Sequence, residues 1–418
     1  MIECNEKICV IGLGYIGLPT AALLANRGYD VHGVDVVQST VDTINEGKIH
    51  IVEPGLDTFV QSAVKSKKLR ASTTPIEADI FIIAVPTPFH DNYVPNIDYV
   101  ISATKALAPF IKEGNIVILE STSPVGTTDK VEEVLAKERP ELFPSNEKAK
   151  VFVAHCPERV LPGHIMKELV ENDRIVGGIT EDATKATVAF YETFVEGEVL
   201  STDAKTAEMA KLTENSYRDV SIAFANELSI LCDKFDIDVW ELIALANRHP
   251  RVNILKPGAG VGGHCIAVDP WFIVHAGGED AKIIRTAREI NNYKAEWVIE
   301  KIKNTILTFE AENGRKANVA CMGLAFKPDI DDLRESPALH IVQQLTNTVD
   351  NVMAVEPNIP LDTSSESLKI SNQNFSLVTL DDALAKADIF VMLVGHNEFK
   401  SMDITTSLDF CGVLNDKK

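Results

Sequence analysis

The sequence predicts an α/β protein with two Rossmann-like doubly wound domains joined by a central domain of long helices. A buried strand near the N-terminus runs into a glycine turn and a helix, which is how a dinucleotide-binding domain begins. From about Lys205 the pattern changes to long helices with few glycines, and the last third then echoes the strands of the first. Because 418 residues leave room for two or three domains, we expect domains at residues 1–200, 201–312 and 313–418.

A glycine turn, Gly12–Gly17, follows the predicted strand Lys7–Ile11 and opens a helical pattern, and the next strand, Val31–Val34, ends in Asp35. In this GxGxxG context the first glycine permits the tight turn, the second the approach of a pyrophosphate, and the third close packing of helix on strand. The Asp35 carboxylate suits a ribose 2′-hydroxyl and repels a 2′-phosphate, so we expect NAD rather than NADP. The alternative is a domain of this fold that binds no cofactor. The residues assigned to NAD here are Gly12, Gly14, Tyr15, Ile16, Gly17 and Asp35.

Polar loops follow three further predicted strands, Ile80–Val85, Ile116–Leu119 and Val151–Ala154. The carboxyl ends of strands line the ligand crevice of a doubly wound sheet. We therefore expect Thr87, Thr122 and Glu158, one from each loop, to face the cofactor and substrate, although each alone also fits a loop residue that bonds its own backbone. Cys156, in the third loop, is expected to pack rather than to react.

A helix of about 30 residues is predicted over Thr206–Phe235, and a second over Val239–Ala246. Lys211, Asn215 and Arg218 share one face of the first helix, a pattern that also fits a solvated stripe. Long apolar helices between two α/β units commonly form a subunit interface, so we expect a homodimer or a higher homo-oligomer. After the second helix comes a basic cluster that contains Arg248, His249 and Arg251.

A glycine-rich loop follows this cluster, with four glycines within six residues, then Cys265, and Asp269 four residues later. Dense glycine lets the backbone adopt positive φ and approach a ligand closely. A thiol presented on such a loop beside a polar group suggests a nucleophile. The same letters also fit a glycine turn followed by a small buried residue.

The last third lacks a GxGxxG turn and carries the polar segment Phe326–Pro337 in its place. Ser336 and Pro337 are favourable as the N-cap and first residue of a helix. Lys327 and Arg334 suit a second anionic ligand such as a nucleotide, and the alternative is a solvated loop.

Composition excludes several classes of function. A net charge of −21 argues against a nucleic-acid or acidic-membrane surface, and no run of about 18 apolar residues suggests a membrane span. The seven cysteines are widely spaced without a CxxC pair, so neither a disulfide framework nor a metal site is expected. With an acidic N-terminus unlike a signal peptide, this favours a reducing cytoplasm.

Taken together, the motifs resemble the UDP-glucose/GDP-mannose dehydrogenase family over essentially the whole chain. They are Gly12–Gly17, Pro86–Pro88, Ser121–Thr128, Pro157-Glu158, Lys211 with Asn215, Gly262–Cys265 with Asp269, and Phe326–Pro337. Within the family, Arg248–Ile254 and Gly260–Pro270 resemble the branch that oxidises UDP-N-acetyl-D-mannosamine, and UDP-N-acetyl-D-glucosamine is the alternative substrate. Glucose enzymes usually have serine and lysine where this chain has His264 and Val268.

The resemblance implies a four-electron oxidation of a sugar C6 alcohol to a carboxylate, with two NAD reduced for each UDP-N-acetylhexosamine. Cys265 adds to the intermediate aldehyde, and oxidation of the thiohemiacetal leaves a thioester. Water activated near Glu158 and Thr122 releases the acid. Lys211 and Asn215 stabilise the oxyanion, Lys211 also serves as the first proton acceptor, and Asp269 orients the lysine or a water.

The resemblance also assigns ligand contacts. Substrate positions are Arg159, Val160, Lys211, Asn215, Arg218, His249, Arg251, Gly262, Phe326 and Lys327. Arg251 is expected to act across a subunit boundary, and Arg334 matches a cofactor contact. Two alternatives stay open: a two-electron hydroxyacid dehydrogenase, which needs neither Cys265 nor a third domain, and a nucleotide-binding regulator without turnover.

Overall fold

The computed structural model describes residues 6–90, 93–144, 148–263, 265–370, 374–402, 404 and 407–414. The chain divides into two compact units, Met1–Thr213 and Glu214–Lys418. A 32-residue helix, Ala204–Phe235, contains the boundary between them. The division into three domains stays a prediction.

The N-terminal unit is built on an eight-stranded sheet of order β3-β2-β1-β4-β5-β6-β7-β8. Its strands are β1 (Lys7–Ile11), β2 (Asp30–Val34), β3 (Leu69–Ser72), β4 (Ile80–Ile83), β5 (Ile116–Leu119), β6 (Phe152–His155), β7 (Arg174–Gly178) and β8 (Val199–Asp203). Its helices are α1 (Gly17–Asn26), α2 (Gln38–Asn45), α3 (Leu56–Lys65), α4 (Asp98–Leu107), α5 (Thr127–Glu138), α6 (Ile165–Glu171) and α7 (Glu181–Tyr191). All neighbouring strands are parallel except β6 and β7, which are antiparallel.

Apolar runs explain why the central strands form. Every residue of β4 and β5 is buried, as are the last four of β1, which is typical of parallel strands covered on both faces. Alternate side chains of a strand point to opposite faces, and accordingly Ile8 and Ile80 belong to one core cluster while Cys9 and Phe81 belong to another. Two cores flank the sheet, so the predicted doubly wound arrangement is confirmed.

The C-terminal unit combines helices with a five-stranded parallel sheet of order β11-β10-β9-β12-β13. Its helices are α8 (Ala204–Phe235, from residue 214 onward), α9 (Val239–Ala246), α10 (Asp269–Gly277), α11 (Lys282–Asn313), α12 (Pro337–Thr346) and α13 (Leu380–Lys386). Its strands are β9 (Asn318–Met322), β10 (Asn351–Val355), β11 (Phe375–Leu377), β12 (Ile389–Met392) and β13 (Ser407–Asp409). Over the described ranges, neither α8, α11 nor any other helix is apolar enough to cross a bilayer.

The predicted echo between the two sheets is confirmed in their pairing. β9 lies between β10 and β12 as β1 lies between β2 and β4. In each unit an acid after the second strand accepts from the turn after the first: Leu13 N donates to Asp35 Oδ2 at 3.1 Å, and Leu324 N donates to Glu356 Oε2 at 2.7 Å. Glu356 is buried and its Oε2 lies 3.1 Å from His396 Nε2, so this second acid is closed to a ribose.

Buried polar contacts join α8 to α11 and reach the glycine loop. Asp219 Oδ1 accepts from Arg288 Nη1 at 2.6 Å and from Asn291 Nδ2 at 2.8 Å. Asn226 Nδ2 donates to Asn291 Oδ1 at 2.9 Å, and Asn226 Oδ1 accepts from Gly258 N at 2.9 Å. Because buried polar groups must be hydrogen-bonded, this network fixes where the glycine loop leaves the helices. α8 and α9 lie where the sequence predicts them, whereas the sequence reasoning did not locate α11.

Candidate active site

The glycine turn of the N-terminal unit leaves open space beside its second glycine. Gly12 has a φ of +92°, and a Cβ there would lie 2.5 Å from Ala84 O. A Cβ on Gly17 would overlap Gly12 O. At Gly14, by contrast, a Cβ would meet nothing within 4 Å. The outer glycines are therefore required by the fold, and the middle one leaves room for a pyrophosphate near the start of α1.

Asp35 is fixed to this turn by two backbone donors. Its Oδ2 accepts from Leu13 N at 3.1 Å and its Oδ1 from Val37 N at 2.9 Å, while the side chain stays partly exposed. Each carboxylate oxygen keeps a further lone pair for a ribose hydroxyl. Tyr15 is exposed and Ile16 is half-buried on the same turn. This arrangement fits NAD, which would supply a hydride acceptor when bound.

Replacing Asp35 by asparagine is expected to weaken the discrimination between NAD and NADP. The like charge that opposes a 2′-phosphate is removed, while the amide oxygen of asparagine can still accept from one backbone N–H. The ratio of kcat/KM for NAD to that for NADP should therefore fall at least about tenfold. Steady-state rates with both cofactors check this. Asp30→Asn, at the exposed start of β2, is the matched control and should leave the ratio unchanged. An unchanged ratio in Asp35→Asn would refute the assignment.

The loops after β4 and β5 are tied together. Thr87 Oγ1 donates to Thr122 O at 2.5 Å, and Ser121 Oγ donates to Val85 O at 2.7 Å. The structure therefore brings Thr87 and Thr122 together, and their role in facing the cofactor and substrate stays a prediction. β4 ends at Ile83, two residues before the predicted Val85, whose carbonyl oxygen accepts from the Ser121 side chain.

Glu158, which follows β6, is buried, and each of its carboxylate oxygens accepts a hydrogen bond. Its Oε1 accepts from Arg159 N at 2.7 Å, and its Oε2 accepts from Arg174 Nη1 at 2.6 Å. Arg159 and Val160 follow it and are half-buried. Arg174 opens β7, a strand that the sequence reasoning did not identify, so its role was missed. An arginine at the start of a buried strand is the sequence signal that could have found it.

In the C-terminal unit, Asn215 and Asp269 meet although 54 residues separate them. Asn215 Nδ2 donates to Asp269 Oδ2 at 2.5 Å, and both side chains are buried. Lys211 lies one turn earlier on α8 and is half-buried, while Arg218 is exposed. Lys211 or a water is the predicted partner of Asp269, and the structure adds Asn215 as a partner that was not predicted.

Cys265 is exposed four residues before α10, so the alternative of a small buried residue is wrong for this thiol. Its carbonyl oxygen accepts from Val268 N at 3.0 Å and from Asp269 N at 2.9 Å, which forms the turn that leads into the helix. These backbone contacts hold Cys265 close to Asp269, the acid that accepts from Asn215 of α8. His264 lies outside the described residues.

The glycines before Cys265 are required by packing against the segment Phe326–Pro337. A Cβ on Gly263, whose φ is +82°, would lie 2.8 Å from the Phe326 ring, and one on Gly262 would lie 2.7 Å from Pro337 Cδ. Gly263 N also donates to Arg334 O at 3.1 Å. The prediction attributed this glycine density to ligand approach, whereas close contact with protein accounts for Gly262 and Gly263.

The remaining predicted ligand residues lie on the surface of the same unit. Phe326 and Lys327 are half-buried, with Lys327 Nζ 5.8 Å from the Phe326 ring centroid. Arg334 is exposed and donates from Nη2 to Asp332 Oδ2 at 2.6 Å. His249 and Arg251 are exposed after α9, where Arg251 N donates to His249 Nδ1 at 3.3 Å.

The predicted start of α12 is confirmed. Ser336 is its N-cap, accepting from Leu339 N at 3.3 Å, and Pro337 is its first residue. The segment Phe326–Pro337 therefore ends at the capped first residue of α12.

Comparison with known proteins decides the family. Three models of one family match in order along the chain: its NAD binding domain at residues 6–195, its central domain at 205–293, and its UDP binding domain at 320–412. The chain belongs to the UDP-glucose/GDP-mannose dehydrogenase family.

Two curated relatives and a solved structure are similar over nearly the full chain. A UDP-N-acetyl-D-mannosamine dehydrogenase of Campylobacter jejuni is 57% identical over 412 residues, which is 97% of this chain and 99% of that protein. An NDP-N-acetyl-D-galactosaminuronic acid dehydrogenase of Ralstonia nicotianae (strain ATCC BAA-1114 / GMI1000) is 54% identical over 402 residues, 95% of this chain and 92% of that protein. The structure of the UDP-N-acetyl-mannosamine dehydrogenase of S. aureus matches with a TM-score of 0.85 at 42% identity, covering 98% of this chain and 95% of that one.

Membership of the UDP-glucose/GDP-mannose dehydrogenase family confirms three predictions: the resemblance to this family, the enzymatic activity and NAD as cofactor. Membership of a dehydrogenase family also argues against the alternative of a nucleotide-binding regulator without turnover. The roles assigned to individual side chains stay predictions.

Proposed function

We propose that this enzyme oxidises the C6 alcohol of UDP-N-acetyl-D-mannosamine to the carboxylate in two NAD-dependent steps. The observation that carries the proposal is the exposed Cys265 thiol, which lies four residues before Asp269, the buried partner of Asn215. The glycines that precede it pack on the segment Phe326–Pro337. The C. jejuni relative, whose name states this substrate, supports it at 57% identity.

The first oxidation needs a base and a stabilised oxyanion. When bound beside Gly14 and Asp35, NAD would supply the hydride acceptor for each oxidation. Lys211 takes the proton of the C6 hydroxyl, and Asn215 donates to the oxygen as it gains charge. Asp269 holds the Asn215 amide in one orientation, because one of its two N–H donors is already engaged.

The second oxidation needs a covalent intermediate, because an aldehyde carbon must first gain a fourth substituent. The Cys265 thiolate forms a C–S bond to the aldehyde carbon while the C=O electron pair moves to oxygen. Loss of the C6 hydride from this thiohemiacetal oxyanion re-forms the C=O bond and leaves a thioester. Water then forms a C–O bond as its proton passes to Glu158. The C–S bond breaks and its electron pair returns to the thiolate, which releases the acid.

Initial rates on three epimers test the substrate. UDP-N-acetyl-D-mannosamine should give the highest kcat/KM, above UDP-N-acetyl-D-glucosamine and UDP-N-acetyl-D-galactosamine. The galacto sugar belongs in the panel because the Ralstonia relative carries galactosaminuronic acid in its name at 54% identity. Faster turnover of either other epimer would refute the substrate assignment.

We further infer that two chains form a homodimer and that the protein works in the cytoplasm. We also infer that its three domains comprise residues 1–200, 201–312 and 313–418. Apolar side chains on α8 support the dimer: Tyr217 is 73%, Phe224 51% and Phe235 63% exposed, a stripe of the kind that marks an interface. The three matched family segments support the domain division, and the seven widely spaced cysteines support a reducing compartment. Sedimentation equilibrium should give twice the chain mass, and the mass of one chain would refute the dimer.

A further inference from the structure

Next to Glu158, the N-terminal unit buries three polar side chains that the mechanism above leaves unused: Glu120, Arg174 and Tyr191. We call these three, together with Glu158, the Glu120 cluster. Glu120 follows β5, Glu158 follows β6, Arg174 opens β7 and Tyr191 ends α7. Glu120 is 2% exposed, Arg174 1% and Tyr191 0%. Polar groups so deeply buried carry a large cost unless they are paired, so their arrangement calls for a physical reason.

A continuous set of contacts leads from Glu158 to Glu120. Arg174 Nη1 donates to Glu158 Oε2 at 2.6 Å, and Arg174 Nη2 donates to Leu169 O at 3.1 Å. The guanidinium carbon of Arg174 lies 5.5 Å from the Tyr191 ring centroid. Tyr191 OH donates to Glu120 Oε1 at 2.7 Å. Glu158 is therefore paired with the cation and Glu120 with the phenol, and the contact between Arg174 and the Tyr191 ring links the two carboxyl groups.

The charges within the cluster do not balance if both carboxyl groups are ionised. Arg174 is committed to Glu158 by direct contact, and Glu120 Oε2 has no hydrogen-bond partner among the residues that the structure describes. A bare, buried carboxylate oxygen is costly, which favours a proton on Glu120. Burial, and then the charge of Glu158, raise the pKa of Glu120 to about 7.

The other titratable groups around Glu120 do not exchange protons near neutral pH. Burial raises the pKa of the Cys156 thiol to about 12. Burial also raises the pKa of the Tyr191 phenol well above its ordinary value. Arg174 stays charged. Glu120 is thus the neighbour of Glu158 whose charge can change during turnover.

We propose that Glu120 is a positioning residue for thioester hydrolysis, exchanging a proton and so setting how much of the Arg174 charge is available to Glu158. The inference rests on the proposed function, in which Glu158 accepts the proton of the attacking water. With Glu120 protonated, the Arg174 cation is paired with Glu158 alone. With Glu120 ionised, Arg174 is attracted to a second negative charge, so it holds Glu158 less tightly and hydrolysis is faster.

The pH dependence of acid release in Glu120→Gln tests the inference, because glutamine keeps the volume and an acceptor for Tyr191. In single-turnover quench experiments with UDP-N-acetyl-D-mannosamine and NAD, the wild-type release rate should rise roughly tenfold from about pH 6 to about pH 8, following the ionised fraction of Glu120. The variant should change less than about twofold and stay near the wild-type rate at low pH. Glu132→Gln on α5, which removes another partly buried carboxyl with a raised pKa, is the matched control and should keep the wild-type profile.

Infrared difference spectra give a readout that does not depend on turnover. The wild-type protein should lose a protonated-carboxyl band as the pH rises through about 7, and Glu120→Gln should lack that band. If Glu120→Gln does not fold, Tyr191→Phe serves instead, because removing the donor to the carboxylate should move the midpoint of the band to higher pH.

Either of two results overturns the proposal: a Glu120→Gln profile equal to wild type, or a titrating band that Glu120→Gln and Tyr191→Phe leave unmoved. A wild-type enzyme that makes no acid from any UDP-sugar refutes the proposed function instead. In that case the infrared titration alone decides whether Glu120 exchanges the proton.

Discussion

Replacing Cys265 by serine is expected to abolish acid formation while NAD and UDP-sugar binding persist. A serine hydroxyl holds its proton far more tightly than a thiol and makes a poor nucleophile without a dedicated base. The rate of acid formation should fall by roughly three orders of magnitude or more. The fold should be kept, because Cys265 is exposed and its contacts with Val268 and Asp269 are made by its backbone oxygen.

Chromatographic assay of the acid checks the rate in Cys265→Ser, and calorimetric titration with NAD and with UDP checks binding. Cys411→Ser is the matched control, since its sulfur lies 3.6 Å from Asp409 Oδ1 and a serine hydroxyl can donate to the same oxygen. The control should make acid at the wild-type rate. If Cys265→Ser also does so, Cys265 is not the nucleophile.

Replacing Gly263 by alanine is expected to damage both stability and turnover. The new Cβ would lie 2.8 Å from Phe326 Cε2, and a φ of +82° is strained for any side chain. We expect a loss of about 2–4 kcal/mol in the free energy of unfolding, from backbone strain and overpacking together. We also expect a fall of about a hundredfold in kcat, because relief of the contact moves the thiol two residues away.

Gly314→Ala separates the backbone term from the packing term. Gly314 ends α11 with a φ of +65°, and a Cβ there would meet nothing within 4 Å. This control should lose only about 1 kcal/mol and keep its kcat. Chemical denaturation and steady-state rates compare the two variants. Equal losses in both would show that the contact with Phe326 contributes nothing.

The parts of the site predictable from sequence are those that a single local segment determines. The GxGxxG turn dictates its own geometry, since Gly12 needs positive φ and Gly17 needs the absence of a Cβ. Asp35 is predictable because it comes directly after a strand that the sequence predicts. The cap by Ser336 and Pro337 is likewise local. In each case the physical requirement and the letters that meet it lie within a few residues of each other.

What could not be predicted depends on contacts between distant segments. Arg174 meets Glu158 across two antiparallel strands, and no periodicity in the sequence indicates that pairing. Asn215 meets Asp269 from 54 residues away. Glycine density predicts close approach but not what approaches, and at Gly263 the neighbour is Phe326.

Counting NADH tests the central claim most directly. With limiting UDP-N-acetyl-D-mannosamine and excess NAD, the thioester account requires two NADH for each sugar consumed, and the acid as the only sugar product. Absorbance gives the first number and chromatography the second. One NADH per sugar, with the aldehyde as product, would contradict the account and leave Cys265 without a covalent role.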